Sequence, residues 1–178
     1  ANRWSPRALT TEMTEKDLNA LFEAARWAPS SYNNQHWRFL YATHEDDEWE
    51  TFVNFLSEFN ADWATEGYAL IVIVSKETFD YNGEPAQTHS FDTGAAWENF
   101  ALEAADRDLV AHGMQGFDYE KAREELGVPE GFKVEAMIAV GGKGDESELG
   151  EDYKVEPSGR KELDEIVAKG SFNFEDQE

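Results

Sequence analysis

Two stretches of this chain concentrate side chains able to do chemistry. Arg3-Trp4-Ser5-Pro6-Arg7 sets two guanidiniums four residues apart around a hydroxyl. Arg presents a planar bidentate fork and Ser a short donor, which together suit a phosphate. A chain end with incidental charge is the competing reading. The second stretch, Ala28 to Phe39, reads Ala-Pro-Ser-Ser-Tyr-Asn-Asn-Gln-His-Trp-Arg-Phe. Its hydroxyls (Ser30, Ser31) and amides (Asn33, Asn34, Gln35) either grip a polar ligand or close turns. His44 with Asp46 and Glu48 offers metal-ligand types, yet an acidic helix start complements the helix dipole without an ion. His89 has no evident partner. No Ser-His-Asp arrangement and no working pair of carboxylates is visible.

The elements that must position these stretches follow from periodicity. Thr14 and Asp17 form a capping-box-like start. Leu18, Leu21, Phe22, Ala25 and Ala28 then recur at helical spacing, with Trp27 expected on the same packed face. Pro29 disfavours the α region at Ala28 and ends that helix. Trp37 to Tyr41 alternates as a half-buried strand does. Trp49 to Leu56 reads as a helix, and Asn60 as a helix C-cap. Tyr68 to Val74 is apolar on both faces and is expected to be a central strand. Turn residues Asp80, Asn82, Gly83 and Pro85 mark a loop before a helix from Asp92 to about Leu109. That helix carries small residues (Gly94, Ala95, Ala96, Ala101, Ala104, Ala105), which permit close helix approach. A short helix spans Tyr119 to Leu126, and a strand from Val134 is expected to stop at Gly141-Gly142. No G-x-G-x-x-G opens a helix, so a Rossmann nucleotide site is not indicated.

Composition narrows the partners. At 178 residues, 40% of them apolar, the chain can build one core, and one domain spanning 1–178 is expected, with an acidic tail from about 168. The absence of cysteine rules out disulfides and thiolate chemistry. With no run of about 18 apolar residues and no signal-peptide pattern, no membrane association and a cytoplasmic location are expected. The 38 acidic against 15 basic residues leave a net charge of −23, spread over every segment. A basic nucleic-acid-binding surface is thereby excluded. With only eight lysines the carboxylates lack partners. Such self-repulsion is relieved when about 1 M salt shortens the Debye length to about 3 Å. We therefore expect adaptation to a salt-rich cytoplasm.

Taken in order, four motifs resemble those of the nitroreductase family of FMN-dependent enzymes. They are Arg-x-Ser-x-Arg at 3–7, Ala-Pro-Ser-x-x-Asn-x-Gln at 28–35, the segment His112 to Asp118, and Ser158-Gly159-Arg160-Lys161 before a short helix. His36 stands where the family usually has proline, and Trp63 where a lysine often stands. The resemblance implies an α+β nitroreductase-like fold, a central mostly antiparallel sheet flanked by helices. It also implies an intertwined homodimer with FMN at the subunit interface. On that pattern Arg3, Ser5 and Arg160 hold the phosphate end, Trp4 contributes backbone, and Arg7 lies at the pyrimidine edge. Pro29, Ser30, Ser31 and Asn33 reach the flavin of the other subunit. Asn60 meets the ring system, and Gln115 and Gly116 offer backbone N–H groups near flavin N5. Phe79, Tyr81 and Phe91 become candidates for the pocket lining, and the small-residue helix for the subunit interface. The implied activity passes hydride from NADH or NADPH through flavin N5 to a small-molecule acceptor of nitroaromatic or quinone type, with no catalytic side chain and no metal required. Another flavin chemistry on the same fold, or a non-catalytic FMN-binding or flavin-storage protein, would use the same phosphate cations.

Overall fold

The computed structural model describes residues 3–174; the last four residues of the expected acidic tail lie outside them. Five antiparallel strands make one sheet: β1 (Leu9–Thr10), β2 (Trp37–Thr43), β3 (Ala69–Lys76), β4 (Leu109–Met114) and β5 (Phe132–Lys143). β5 pairs with β3 along one edge and with β4 along the other, and β2 lies outside β3. β1 pairs with Gly142 and Lys143, just past the point where β3 leaves β5.

The two-sided apolar pattern of β3 has the consequence expected of it. Leu70, Val72 and Val74 face one core with Phe52, Phe55, Trp63, Ala122 and Met137. Ala69, Ile71 and Ile73 face a second core with Leu18, Leu21, Ala25, Ala96, Phe100 and Ala104. The first is covered by α2 (Trp49–Val53), α3 (Glu58–Ala64) and α5 (Tyr119–Glu125); the second by α1 (Glu15–Arg26) and α4 (His89–Asp106). Hydrophobic burial on both faces makes this sheet the rigid platform of the molecule.

α1 begins with the expected box: Asp17 N–H donates to Thr14 Oγ1 at 3.2 Å, and Thr14 N–H to Asp17 Oδ2 at 3.2 Å. Several local expectations need correction. Trp27 does not join the packed face of α1; it is 73% exposed, its indole N–H donating to Glu23. Gly141 and Gly142 do not stop a strand but lie inside β5. A Cβ on Gly141 would sit 2.3 Å from Thr10 O, so glycine lets β1 lie close against β5. α4 starts three residues earlier than Asp92 and ends at Asp106, and Leu109 already belongs to β4. Ala96 and Ala104 pack with Leu18, Leu21 and Ala25 of α1, Ala101 is buried too, and Gly94 is exposed. Asn60 is no C-cap: it lies in the first turn of α3, where its N–H reaches the N-cap, Ser57. No helix among the described residues is long and apolar enough to cross a membrane.

Candidate functional site

The segment before β1 runs beside the sheet and sends its two arginines to different places. Arg3 lines a cavity of about 630 Å³ together with Trp4, Glu98, Leu102 and the stretch Pro157 to Arg160. Two cations from opposite ends of the sequence therefore share one space. Arg3 Nε lies 3.7 Å from Glu98 Oε1 on the outer face of α4. Arg160 Nη1 donates to the carbonyls of Ser158 (2.9 Å) and Gly159 (3.0 Å), which curls its side chain back over its own backbone.

Arg7 points elsewhere. Its guanidinium lies over Phe59 (4.9 Å) and Trp63 (5.8 Å), and Nη1 donates to Tyr153 O at 3.4 Å. It lines a second cavity of about 350 Å³ with Thr10, Asp62, Glu66 and Tyr153. Arg7 Nε is buried without a hydrogen-bond partner. Trp63, at the position of the family's lysine, is buried and packs at 4.6 Å on His112. Arg7 thus brings a cation beside the position from which one is missing. His112 Nδ1 donates to Pro6 O at 2.9 Å, tying β4 to the arginine-bearing segment. Burial holds the His112 imidazole below its ordinary pKa, with the neighbouring Arg7 charge acting in the same direction.

Close to β4's end the chain brings Asn60 and Gly116 together. Asn60 Nδ2 donates to Gly116 O at 2.9 Å, and Ser57 N–H donates to the same oxygen at 3.0 Å. A Cβ on Gly116 would lie 2.6 Å from Asn60 Nδ2 and 3.2 Å from Ser57 Oγ. A side chain at 116 would have to displace the Asn60 amide. Gln115 is exposed beside it. Ser5 lies between the two arginines, half-buried, with its backbone toward His112.

Pro29, Ser30, Ser31 and Asn33 form a separate group, and none of them lines either arginine cavity. Gln35 N–H donates to Ser30 Oγ at 3.0 Å, and Ser31 N–H to Asp92 Oδ2 at 2.9 Å. Tyr32, Asn33 and Gln35 all hold left-handed backbone, with φ of 53°, 53° and 51°. Three such non-glycine residues in four are costly and persist only where the surroundings enforce them. Beside this loop, Phe79 and Tyr81 cluster with Tyr32 at centroid distances of 5.4–5.6 Å, whereas Phe91 stands apart and is 80% exposed.

Sequence reasoning missed several polar partners. His89 is not alone: its Nδ1 meets Ser75 Oγ at 2.7 Å, and Glu135 accepts from Ser75 and Ser90 at 2.6 Å each. Burial pushes the Glu135 carboxyl up, but Ser75, Ser90 and Lys133 outweigh it and hold it below its ordinary value. Glu98 was invisible as well, since nothing in the sequence separates it from the other acidic residues, and Asp92 reads from the sequence only as a candidate cap of its helix. Asp46 accepts from Thr43 N–H (2.7 Å) and Oγ1 (2.8 Å), so it closes a turn. Among the described residues no group of three or more His, Asp or Glu is placed to hold a metal ion.

This geometry can be set beside known proteins. A crystal structure described as that of an oxidoreductase containing FMN superposes with a TM-score of 0.91 at 39% identity, covering 97% of this chain and 90% of that one. A nitroreductase family protein of Streptococcus pneumoniae TIGR4 shares the fold at a TM-score of 0.75 and 20% identity, over 94% of this chain and 96% of that one. The uncharacterized 15.4 kDa protein in ask 5'region of Mycolicibacterium smegmatis is 31% identical over 130 residues, 71% of this chain and 86% of that protein. The model of the Nitroreductase family matches residues 1–58 and 42–142. With that family model matching most of the chain, the chain belongs to the nitroreductase family, whose members are oxidoreductases.

Proposed function

We propose that this chain is an FMN-dependent oxidoreductase that takes hydride from NADH or NADPH and passes it to nitroaromatic or quinone-type acceptors. It works as a homodimer with its sites at the subunit interface, in a salt-rich cytoplasm. The observation that carries the reading is the meeting of Arg3 and Arg160 in one cavity. In a chain of net charge −23, two cations facing one space of that size are best explained by a phosphate.

The residues present fit FMN. Arg3 and Arg160 supply cations for the phosphate, and Asn60 and Ser57 fill the space beside Gly116 and hold the segment past β4's end. Arg7 holds an unpaired buried N–H and a positive charge over Phe59 and Trp63, suited to the electron-rich pyrimidine edge. Bound FMN supplies the two-electron chemistry. This chain's residues do the rest. Arg3, Ser5 and Arg160 anchor one end, with Trp4 backbone beside them, while Asn60 fixes Gly116 so that the Gln115–Gly116 N–H groups stay oriented. Pro29, Ser30, Ser31 and Asn33 lie away from both cavities, and in this reading they complete the site of the second subunit. No side chain is assigned to proton delivery; water serves.

The test is an absorbance spectrum of the protein reconstituted with FMN in molar salt, before and after anaerobic NADH or NADPH. A flavin band that bleaches and returns on adding a quinone or nitroaromatic is the expected result. A bound flavin that neither nicotinamide bleaches would instead mark a storage protein, and no bound flavin would overturn the proposal.

A further inference from the structure

β5 bulges beneath the first turns of α4. Ile73 pairs with Ala136 and Val74 with Val134, so Glu135 is an extra residue without a partner on β3. Val134 and Met137 pack in the first core, whereas Glu135 and Ala136 both turn to the α4 side. There they line a niche of about 110 Å³ with Ile73, Thr93, Gly94 and Trp97. The niche shares no residue with either arginine cavity. Its walls are mainly apolar, yet two polar groups stand among them. Glu135 Oε1 accepts from Ser75 and Ser90 Oγ at 2.6 Å each, with His89 Nδ1 at 3.6 Å. Oε2 meets Lys133 Nζ at 2.9 Å, and the Lys133 side chain is 52% exposed against 17% for Glu135. Burial opposes ionisation, but Ser75, Ser90 and Lys133 outweigh it and keep Glu135 a carboxylate. Thr93 is 2% exposed, and its hydroxyl has no hydrogen-bond partner among the described residues. A buried hydroxyl left unpaired costs stability, so the fold alone does not account for it.

We propose that this niche binds a small primary amine whose apolar body is a single ring or a short branched chain. The body packs against Ile73, Ala136 and Trp97, and the ammonium donates to Glu135 Oε2 and Thr93 Oγ1. The carboxylate only accepts, so a ligand must bring donors, and an ammonium brings three. Lys133, the cation now on Oε2, is half in water and gives way at little cost. The net charge of −23 draws cations and turns anions away. Size limits the body. A closed apolar cavity of about 150 Å³ takes up benzene, and this smaller niche, open on one side, holds most of one ring. Two glycines shape it. A Cβ on Gly94 would meet nothing within 4 Å, so the mouth is clear. A Cβ on Gly113 would lie 3.1 Å from the Trp97 ring, so glycine there lets Trp97 sit against β4 as a wall. The niche neither uses FMN nor depends on the proposed function.

The experiment titrates the ¹⁵N-labelled full chain with benzylamine, and separately with benzyl alcohol, near neutral pH in about 1 M KCl, where a partly buried pair is screened little. The amides of Thr93, Gly94 and Gly113 are expected to shift together with benzylamine and to saturate. Glu135→Gln keeps the shape and should weaken benzylamine about tenfold, the scale of one charge-assisted hydrogen bond, while leaving benzyl alcohol unchanged. Lys133→Ala removes the competing cation and should tighten benzylamine about threefold. Thr93→Val should weaken it about fivefold yet leave the thermal midpoint at or above the parent's, since the lost hydroxyl had no partner. Gly94→Leu places a side chain in the open mouth, favours the helix and should abolish binding. No saturable shift at those three amides, equal binding of the alcohol and the amine, or an amine indifferent to Glu135→Gln would overturn the proposal. A lowered midpoint in Thr93→Val would assign that hydroxyl to the fold and refute its part in the site. Uptake of FMN has no bearing on these results, so the niche and the flavin reading fail separately.

Discussion

Replacing Arg3 by alanine separates the phosphate from every other contact of the ligand. A charge-assisted hydrogen bond to phosphate contributes about 1.5–3 kcal/mol net. Arg3 gives less than the upper figure, because its Nε already lies 3.7 Å from Glu98 and must share its charge. Removing Arg3 also leaves Glu98 as an unopposed anion in the cavity. Two unit charges about 4 Å apart interact by about 4 kcal/mol at an effective dielectric constant of about 20, before salt screening. We take about 2 kcal/mol as the balance in moderate salt, or about 30-fold in Kd, shrinking toward about fivefold in molar salt. Arg160, exposed and satisfied by its own carbonyls, should cost about fivefold when replaced by alanine. Glu98→Gln should act in the opposite direction and tighten FMN. The assay is quenching of flavin fluorescence, with FMN and with riboflavin, at 0.2 M and 2 M KCl. Riboflavin has no phosphate, so its affinity should be unchanged in all three variants. Equal losses for FMN and riboflavin, or no loss for FMN, would refute the phosphate assignment.

Three other outcomes follow from the same structure. Gly116→Ala puts a Cβ 2.6 Å from Asn60 Nδ2, so the Asn60 amide must swing away and its bond to Gly116 O is lost or weakened. A cost of about 1–3 kcal/mol should lower the thermal midpoint by about 2–10 °C and weaken FMN, and an unchanged midpoint would contradict this. His112 is held neutral by burial in the folded chain, so the unfolded chain binds its proton first as pH falls below about 6.5. Stability should therefore decline from about pH 6.5 downward, until the lowered folded value is passed, and His112→Gln should flatten this part of a urea-midpoint profile. The net charge of −23 predicts a thermal midpoint that climbs between 0.1 M and 2 M KCl; a level midpoint would sink the salt reading.

What the sequence disclosed was local. The Thr14–Asp17 box, the face formed by Leu18, Leu21 and Ala25, and the central β3 all depend on neighbours within a few residues, so period and capping reveal them. What it hid depends on residues far apart in the chain. Gly141-Gly142 resembles a stop until β1 is seen lying against it. Trp27 lies about 180° around α1 from Leu18, at about 100° per residue, on the side away from Leu21 and Ala25, and its indole goes outward to Glu23. Asp92 passes for a capping acid, yet it turns inward to Ser31 and His36. Arg3 and Arg160 could be linked only through the order of family motifs, because no spacing connects the two ends of a chain. Glu98, on an exposed helix face among 38 acidic residues, gave no signal at all.

A crystal structure of the protein grown with FMN in molar salt tests the central claim most directly. The account predicts the phosphate within hydrogen-bond reach of Arg3 and Arg160, the flavin ring along Gln115 and Gly116, and the Pro29–Asn33 loop of a second copy closing over it. A phosphate bound away from both arginines, or a flavin ring remote from Gly116, would contradict it.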